Sequence, residues 1–205
     1  MTRSRCAARR TLSLAGLALS ACLALPAPFA DAAAGGADTV RSFYSTLLDT
    51  MRNATALGPQ GRYARLAPAI RQSFDIPFMT RLAVGPEWNS LTPAQQAEVT
   101  QAFERYVTAV YAERFHKYTG EQLNVTGEQP SPAGTVIASQ IVPSDGTAAV
   151  HINYLMRDGK IADVYLNGTI SELATRRAEF SGILKTQGIT GLITALNSKA
   201  AALVS

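Results

Sequence analysis

Residues 147–167 read TAAVHINYLMRDGKIADVYLN, and the period of this stretch decides the fold. Val150, Ile152, Tyr154 and Met156 alternate with Ala149, His151, Asn153 and Leu155, the two-residue repeat of a strand with two unlike faces. Asp158-Gly159 then offers the residue pair favoured in a two-residue hairpin, whose central positions take left-handed backbone. A second strand follows from Lys160 to about Asn167. A connection this short obliges the two strands to run antiparallel.

The same period extends upstream. Leu123 and Val125 begin a strand, 127-GEQPSPAG-134 reads as a loop, and Thr135 to Val142 form another strand before Asp145-Gly146 turns the chain. Earlier still the spacing is helical. Asp38 is expected to cap a helix running to about Leu57, with Val40, Phe43, Tyr44, Leu47, Leu48 and Met51 along one stripe. Gly58-Pro59 stops it, and a shorter helix carries Tyr63, Leu66 and Ile70.

The stretch 74-FDIPFMTRLAVGPEW-88 is dense in apolar residues. Asp75 caps a brief helix in it, with Pro77 in the first turn where a missing N–H does no harm, and Gly85-Pro86 closes it. Thr92-Pro93-x-Gln95 is a capping-box start for a long helix expected to reach about Tyr118. Val99, Phe103, Tyr106, Val107, Val110, Tyr111 and Phe115 share one of its faces. After the strands, Ser171 caps a helix ended by Gly188, with Leu173, Phe180, Ile183 and Leu184 inward, and a final helix carries Leu192, Ile193 and Leu196. Helices, then strands, then helices indicate an α+β fold. Its curved antiparallel sheet has four to five strands, with helices gathered over one face.

Residues 1–32 have the parts of a bacterial export signal. Arg3, Arg5, Arg9 and Arg10 precede an apolar run from Thr11 to Leu25 that is short for a bilayer span. Two cleavage readings compete: the small-x-small site at 30-ADA-32, and a lipobox-like 19-LSAC-22 that would leave a lipid on Cys22. The apolar run continuing past Cys22 favours the first. Residues 33–37 then form a flexible lead-in, and 38–205 a single domain. The formal net charge of +4 comes mostly from the leader. Without residues 1–32 the chain keeps 15 basic against 14 acidic residues, which removes the basic stripe a nucleic-acid binder needs. Both cysteines, Cys6 and Cys22, lie in the leader, so packing alone holds the mature domain.

Catalytic chemistry is thin. The chain has no G-x-S-x-G turn, no phosphate-cradling glycine loop and no H-E-x-x-H. His116 falls near a helix end, where a solvated or dipole-satisfying role is the plain reading, and His151 has the polar parity of its strand. The two histidines lack identifiable carboxylate partners for a metal. Asp163 is the one acid within the sheet, read as a surface carboxylate or, alternatively, a general base. Arg176 and Arg177 open a helix and read as ion-pair residues or as contacts for a phosphate head group.

FDIPFMTRLAVGPEW, 92-TPAQQ, the long aromatic helix, 153-NYLMRDGKIADVYLNG-168, 176-RRAEF-180 and 188-GITGLI-193 together resemble the MlaC (toluene-tolerance) family of periplasmic lipid-binding proteins. The resemblance covers about residues 38–199. Within the family, NYLMR and GTISE look closest to the hopanoid-biosynthesis-associated branch called HpnM. The resemblance implies an apolar pocket between sheet and helices, no catalytic residues and no cofactor. The implied cargo is a phospholipid or, in that branch, a hopanoid. Carriage would run between membranes, with an inner-membrane transporter complex and an outer-membrane lipoprotein complex as partners and the carrier as a monomer.

The candidate lining rests on periodicity. It takes Phe78, Met79, Leu82 and Trp88 from the apolar stretch, and Phe103, Tyr106, Val107, Val110, Tyr111 and Phe115 from the long helix. Val150, Ile152, Tyr154, Val164 and Leu166 come from the strands, and Phe180 and Leu184 from the later helix. The same residues could instead fill an ordinary core. Two other functions stay open: a small enzyme using Asp163 or His151 with a pocket tyrosine, and a structural adaptor with a filled interior. A lipid site calls for a cavity on the order of several hundred Å³.

Overall fold

The computed structural model describes residues 35–205, so the export signal and its cleavage lie outside the described residues. Helix α1 (Gly36–Arg52) begins ahead of Asp38, which sits in the first turn instead of capping it. There the carboxylate still meets the positive end of the helix and pairs with Arg41 at 2.8 Å. The helix stops at Asn53, whose side-chain amide donates to the Asp49 carbonyl at 2.8 Å. Helix α2 (Ala54–Ser73) carries the expected break at Gly58.

Helix α3 (Ile76–Val84) forms as its sequence prescribes, with Asp75 Oδ1 accepting from the Phe78 N–H at 3.1 Å and Gly85 at its end. The Asp75 N–H donates to the Ile161 carbonyl at 2.8 Å, which fastens the start of α3 to the sheet edge. Helix α4 (Pro93–Arg114) has the reciprocal capping box of Thr92 and Gln95. It ends before Tyr118 because Phe115 leaves helical backbone to stack on Tyr111, with centroids 5.8 Å apart, while the His116 ring takes the Glu113 carbonyl.

The sheet is a meander of five antiparallel strands in the order β1-β2-β3-β4-β5. These are β1 (Gln122–Ser131), β2 (Gly134–Val142), β3 (Val150–Arg157), β4 (Lys160–Leu166) and β5 (Ile170–Ser171). The segment 127–134, expected to be a loop, mostly extends β1. Pro130 pairs with Thr135 there, and β1 tolerates it because an edge strand has one side free of partners. Asp158 and Gly159 both take positive φ, 48° and 75°, as the β3–β4 hairpin requires. β5 is too short to carry a readable period.

Register places Ile137 and Ser139 beside Tyr154 and Ile152, and these beside Val164 and Leu166, on one sheet face. Val40, Phe43, Tyr44 and Leu47 of α1 join this face in one buried core with Leu66 and Ile70 from α2, Phe74 just past its end, and Val99, Phe103 and Tyr106 from α4. Phe43 meets Phe74 and Tyr111 edge-on at 5.1 and 5.3 Å. Helix α5 (Glu172–Leu203) breaks at Gly188, where φ is 64°, so that the chain doubles back as its sequence signals. Lys199 of the returning half pairs with Glu179 of the first, and Asn197 accepts from Arg105 Nε of α4 at 2.9 Å.

Candidate ligand-binding site

A cavity of about 100 Å³ opens between α4, the start of α5 and strands β3 and β4, with Phe74 from the link between α2 and α3 and Met79 from α3. Its longest wall is a single stripe of α4. Phe103, Tyr106, Val107, Val110, Tyr111, Arg114 and Phe115 follow at helical spacing and all face it. The sheet supplies Ile152, Tyr154, Val164 and Leu166, which share a face because they alternate with outward residues. Glu172, Leu173 and Arg176 of α5 complete the lining.

Beneath the cavity lies a chain of hydroxyls. Ser139 Oγ donates to the Ile152 carbonyl at 2.6 Å, which leaves the Tyr44 hydroxyl to donate to Ser139 at 2.7 Å. Tyr154 stands edge-on to Tyr44 with ring centroids 5.9 Å apart. Burial pushes the Tyr111 and Tyr154 hydroxyls well above the ordinary phenol range; Tyr44 and Tyr111 add to the effect at Tyr154, whereas at Tyr111 Tyr44 adds to it and the Tyr154 hydrogen bond works against it. Burial also raises Tyr44, with the Ser139 hydrogen bond working against it. These phenols are therefore neutral hydrogen-bonding groups, and the wall they share with Val107, Val110 and Ile152 suits hydrocarbon.

Charge gathers at the α4–α5 end. Arg176 pairs with Glu172 at 3.3 Å and Glu179 at 3.1 Å, and its guanidinium sits 5.3 Å from the centroid of the Tyr106 ring. Arg114 is exposed in the last turn of α4.

Of the residues that periodicity nominates, Met79, Phe103, Tyr106, Val107, Val110, Tyr111, Phe115, Ile152, Tyr154, Val164 and Leu166 are brought together here. Six are not. Phe78 and Leu82 line an open groove of about 450 Å³ on the opposite sheet face with Leu155 and Tyr165, because α3 wraps around the sheet edge. Trp88 and Leu184 pack half-buried against the core, and Val150 is 43% exposed at the start of β3. Phe180 is buried behind the lining, edge-on to Phe103 at 6.1 Å. Periodicity missed Arg114, which continues the Val110 and Tyr111 stripe by one turn, and it missed Phe74, Glu172 and Leu173 as lining residues.

The cavity is smaller than the several hundred Å³ expected of a lipid site. Aromatic rings account for the difference: Phe74, Tyr111 and Phe115 lean on one another across it, with centroids 5.6 and 5.8 Å apart. The interior is neither filled nor spacious.

The candidate acid and base lie elsewhere. His151 is exposed. Asp163 is buried on the other sheet face, where Oδ1 accepts from the N–H groups of Val164 (2.7 Å) and Leu173 (3.2 Å) and Oδ2 from the Ser171 hydroxyl (2.7 Å). It is an anchor for the start of α5. Arg177 is exposed and lies against Gly85. Among the described residues, no group of three His, Cys, Asp or Glu side chains could hold a metal, and no helix is long and apolar enough to cross a membrane.

A phospholipid-binding protein from Ralstonia solanacearum, solved in complex with a phospholipid, shares this fold. It matches with a TM-score of 0.70 at 20% sequence identity, over 84% of this chain and 100% of that one. The family model described as MlaC protein matches residues 41–198, a span that contains every residue lining the cavity. The chain belongs to the MlaC family.

Proposed function

We propose that this protein is a periplasmic lipid carrier that hides acyl tails in the cavity between α4, α5 and the sheet and shuttles them between the inner and outer membranes. The observation that carries the reading is the cavity itself, apolar along its walls and charged only at one end. The phospholipid bound by the structurally similar Ralstonia protein supports the choice of ligand. A tail of about sixteen carbons left in water costs on the order of 12 kcal/mol, at about 0.8 kcal/mol per methylene, so a soluble carrier must enclose it.

A space of about 100 Å³ does not hold such a tail. Uptake therefore spreads α4 from the start of α5, and the break at Gly188 is where α5 can yield without disturbing its second half. In this reading residues 1–32 are the export signal, residues 38–205 act as a monomeric lipid-binding domain, and no reaction is catalysed. An inner-membrane transporter complex and an outer-membrane lipoprotein complex exchange the lipid with it. The resemblance of 153-NYLMR-157 and 168-GTISE-172 to the HpnM branch makes a hopanoid the second cargo to test.

Incubating lipid-stripped protein with phospholipid vesicles, then separating the vesicles by flotation, tests the proposal. Lipid is expected to remain with the soluble protein. Protein that stays empty at every vesicle concentration contradicts it.

A further inference from the structure

The open groove of about 450 Å³ on the sheet face away from the cavity is a second apolar feature. Leu155 of β3 with Ala162 and Tyr165 of β4 form its floor, and Phe78 and Leu82 of α3 with Leu173 of α5 form its sides. The floor is recessed, with Ala162 1% and Leu155 8% exposed, whereas Leu82 stands 38% exposed at the rim. Such a trough, apolar below and open above, fits one ridge of side chains from another molecule.

Free charge around the groove is of one sign. Arg157 lines it, and its guanidinium lies 4.1 Å from the centroid of the Phe78 ring, which holds it at the rim. Arg177 follows Leu173 by one turn of α5 and lies against Gly85, itself about one turn beyond Leu82, so it stands at the α3–α5 end. Arg81 adjoins Leu82 in the last turn of α3 and is exposed. None of the three belongs to an ion pair among the described residues. The one acid in the lining, Asp163, is buried, and its oxygens are taken by Val164, Leu173 and Ser171. Glu87, Asp158 and Glu172 neighbour these residues in sequence but do not line the groove.

We infer that this groove is a docking surface for a partner protein, which lays the apolar stripe of an acidic amphipathic helix along Phe78, Leu82, Leu155 and Tyr165 and sets its carboxylates against Arg81, Arg157 and Arg177. The planar guanidinium fork matches a carboxylate through two parallel hydrogen bonds. A bilayer surface fits this face less well, because docking onto lipid needs protruding apolar side chains and here the apolar floor is recessed. The groove and the cavity lie on opposite faces of the sheet, so a helix seated here leaves the α4–α5 end uncovered. The docking surface is independent of what the cavity carries.

The test is fluorescence anisotropy of labelled synthetic peptides with the full mature protein. One helical peptide of about eighteen residues carries leucine at every third or fourth position, flanked by glutamate, and its twin has lysine for every glutamate. The acidic peptide is expected to bind at least about tenfold tighter than its twin at low salt, and to weaken as salt rises. Leu82→Asp and Arg157→Glu, both at exposed positions, should each lower its affinity by roughly tenfold while the wild-type melting transition is kept. Replacing Arg81, Arg157 and Arg177 together by glutamate should reverse the preference toward the lysine peptide, a gain that misfolding does not produce. Equal binding of the two peptides, or acidic-peptide binding that survives Leu82→Asp and Arg157→Glu, overturns the docking surface. So does flotation with phosphatidylglycerol vesicles that requires the same three arginines while the acidic peptide fails to bind, since that assigns the face to a membrane.

Discussion

The Tyr44 hydroxyl lies 2.7 Å from Ser139 Oγ and hydrogen-bonds helix α1 to strand β2 inside the core. Ser139 passes the chain on to the Ile152 carbonyl beside the cavity. Tyr44→Phe removes a donor and leaves Ser139 with its acceptor, for an expected loss of about 1 kcal/mol. Ser139→Ala deprives a buried phenol of its partner and should cost more, about 1–3 kcal/mol. Urea denaturation of both variants checks the order; equal stability in all three proteins would show the pair to be dispensable.

Asp163 holds the α5 start through the Leu173 N–H and the Ser171 hydroxyl, and it also accepts from the Val164 N–H of its own strand. Asp163→Ala should lower stability by about 3 kcal/mol, because three donors lose one charged acceptor in a buried site. Asp163→Asn should cost less. Lipid uptake by the folded fraction should not change, since Asp163 lies on the sheet face away from the cavity. A variant of full stability that no longer binds lipid would give Asp163 a functional role after all.

Alkaline pH should weaken the fold through its phenols. Burial raises Tyr44, Tyr111 and Tyr154 above the ordinary value of 10.0 that they recover on unfolding. The native state therefore holds protons that the unfolded chain releases. The stability tied to these groups is complete below the unfolded value and is lost as pH rises through the folded values. Chemical denaturation across this range should show a steady decline above about pH 10, and Tyr154→Phe should flatten it. A decline of the same slope in Tyr154→Phe would assign the effect to other groups.

Val110 faces the cavity from the middle of the α4 stripe. Val110→Trp should occupy the space and change stability by less than about 1.5 kcal/mol, because the added atoms meet a void. Lipid uptake should fall by roughly tenfold or more, equivalent to losing at least about 1.4 kcal/mol of binding. A large loss of stability would mean that the wall closes on itself and leaves no usable space.

The fold was legible wherever local chemistry is unambiguous. Asp75, the Thr92–Gln95 box, Asp158-Gly159 and Gly188 act within a few residues of themselves, and each does in the structure what its sequence prescribes. β1 was legible only in part. Pro130 is a breaker except on an edge, and edge position is settled by the order of strands. The site divides along the same line. The α4 stripe is a local property and was readable, whereas Phe78 and Leu82 face the other way because α3 turns around the sheet edge. Arg114 escaped notice for a related reason: it and Arg176 belong to helices far apart in sequence, and only packing brings both to one cavity.

Mass spectrometry of the protein purified from its native compartment without detergent tests the central claim most directly. The account predicts a folded monomer carrying stoichiometric lipid, released intact on denaturation and dominated by phosphate-bearing species. A folded monomer that is repeatedly empty, and stays empty after exposure to membranes, would contradict it.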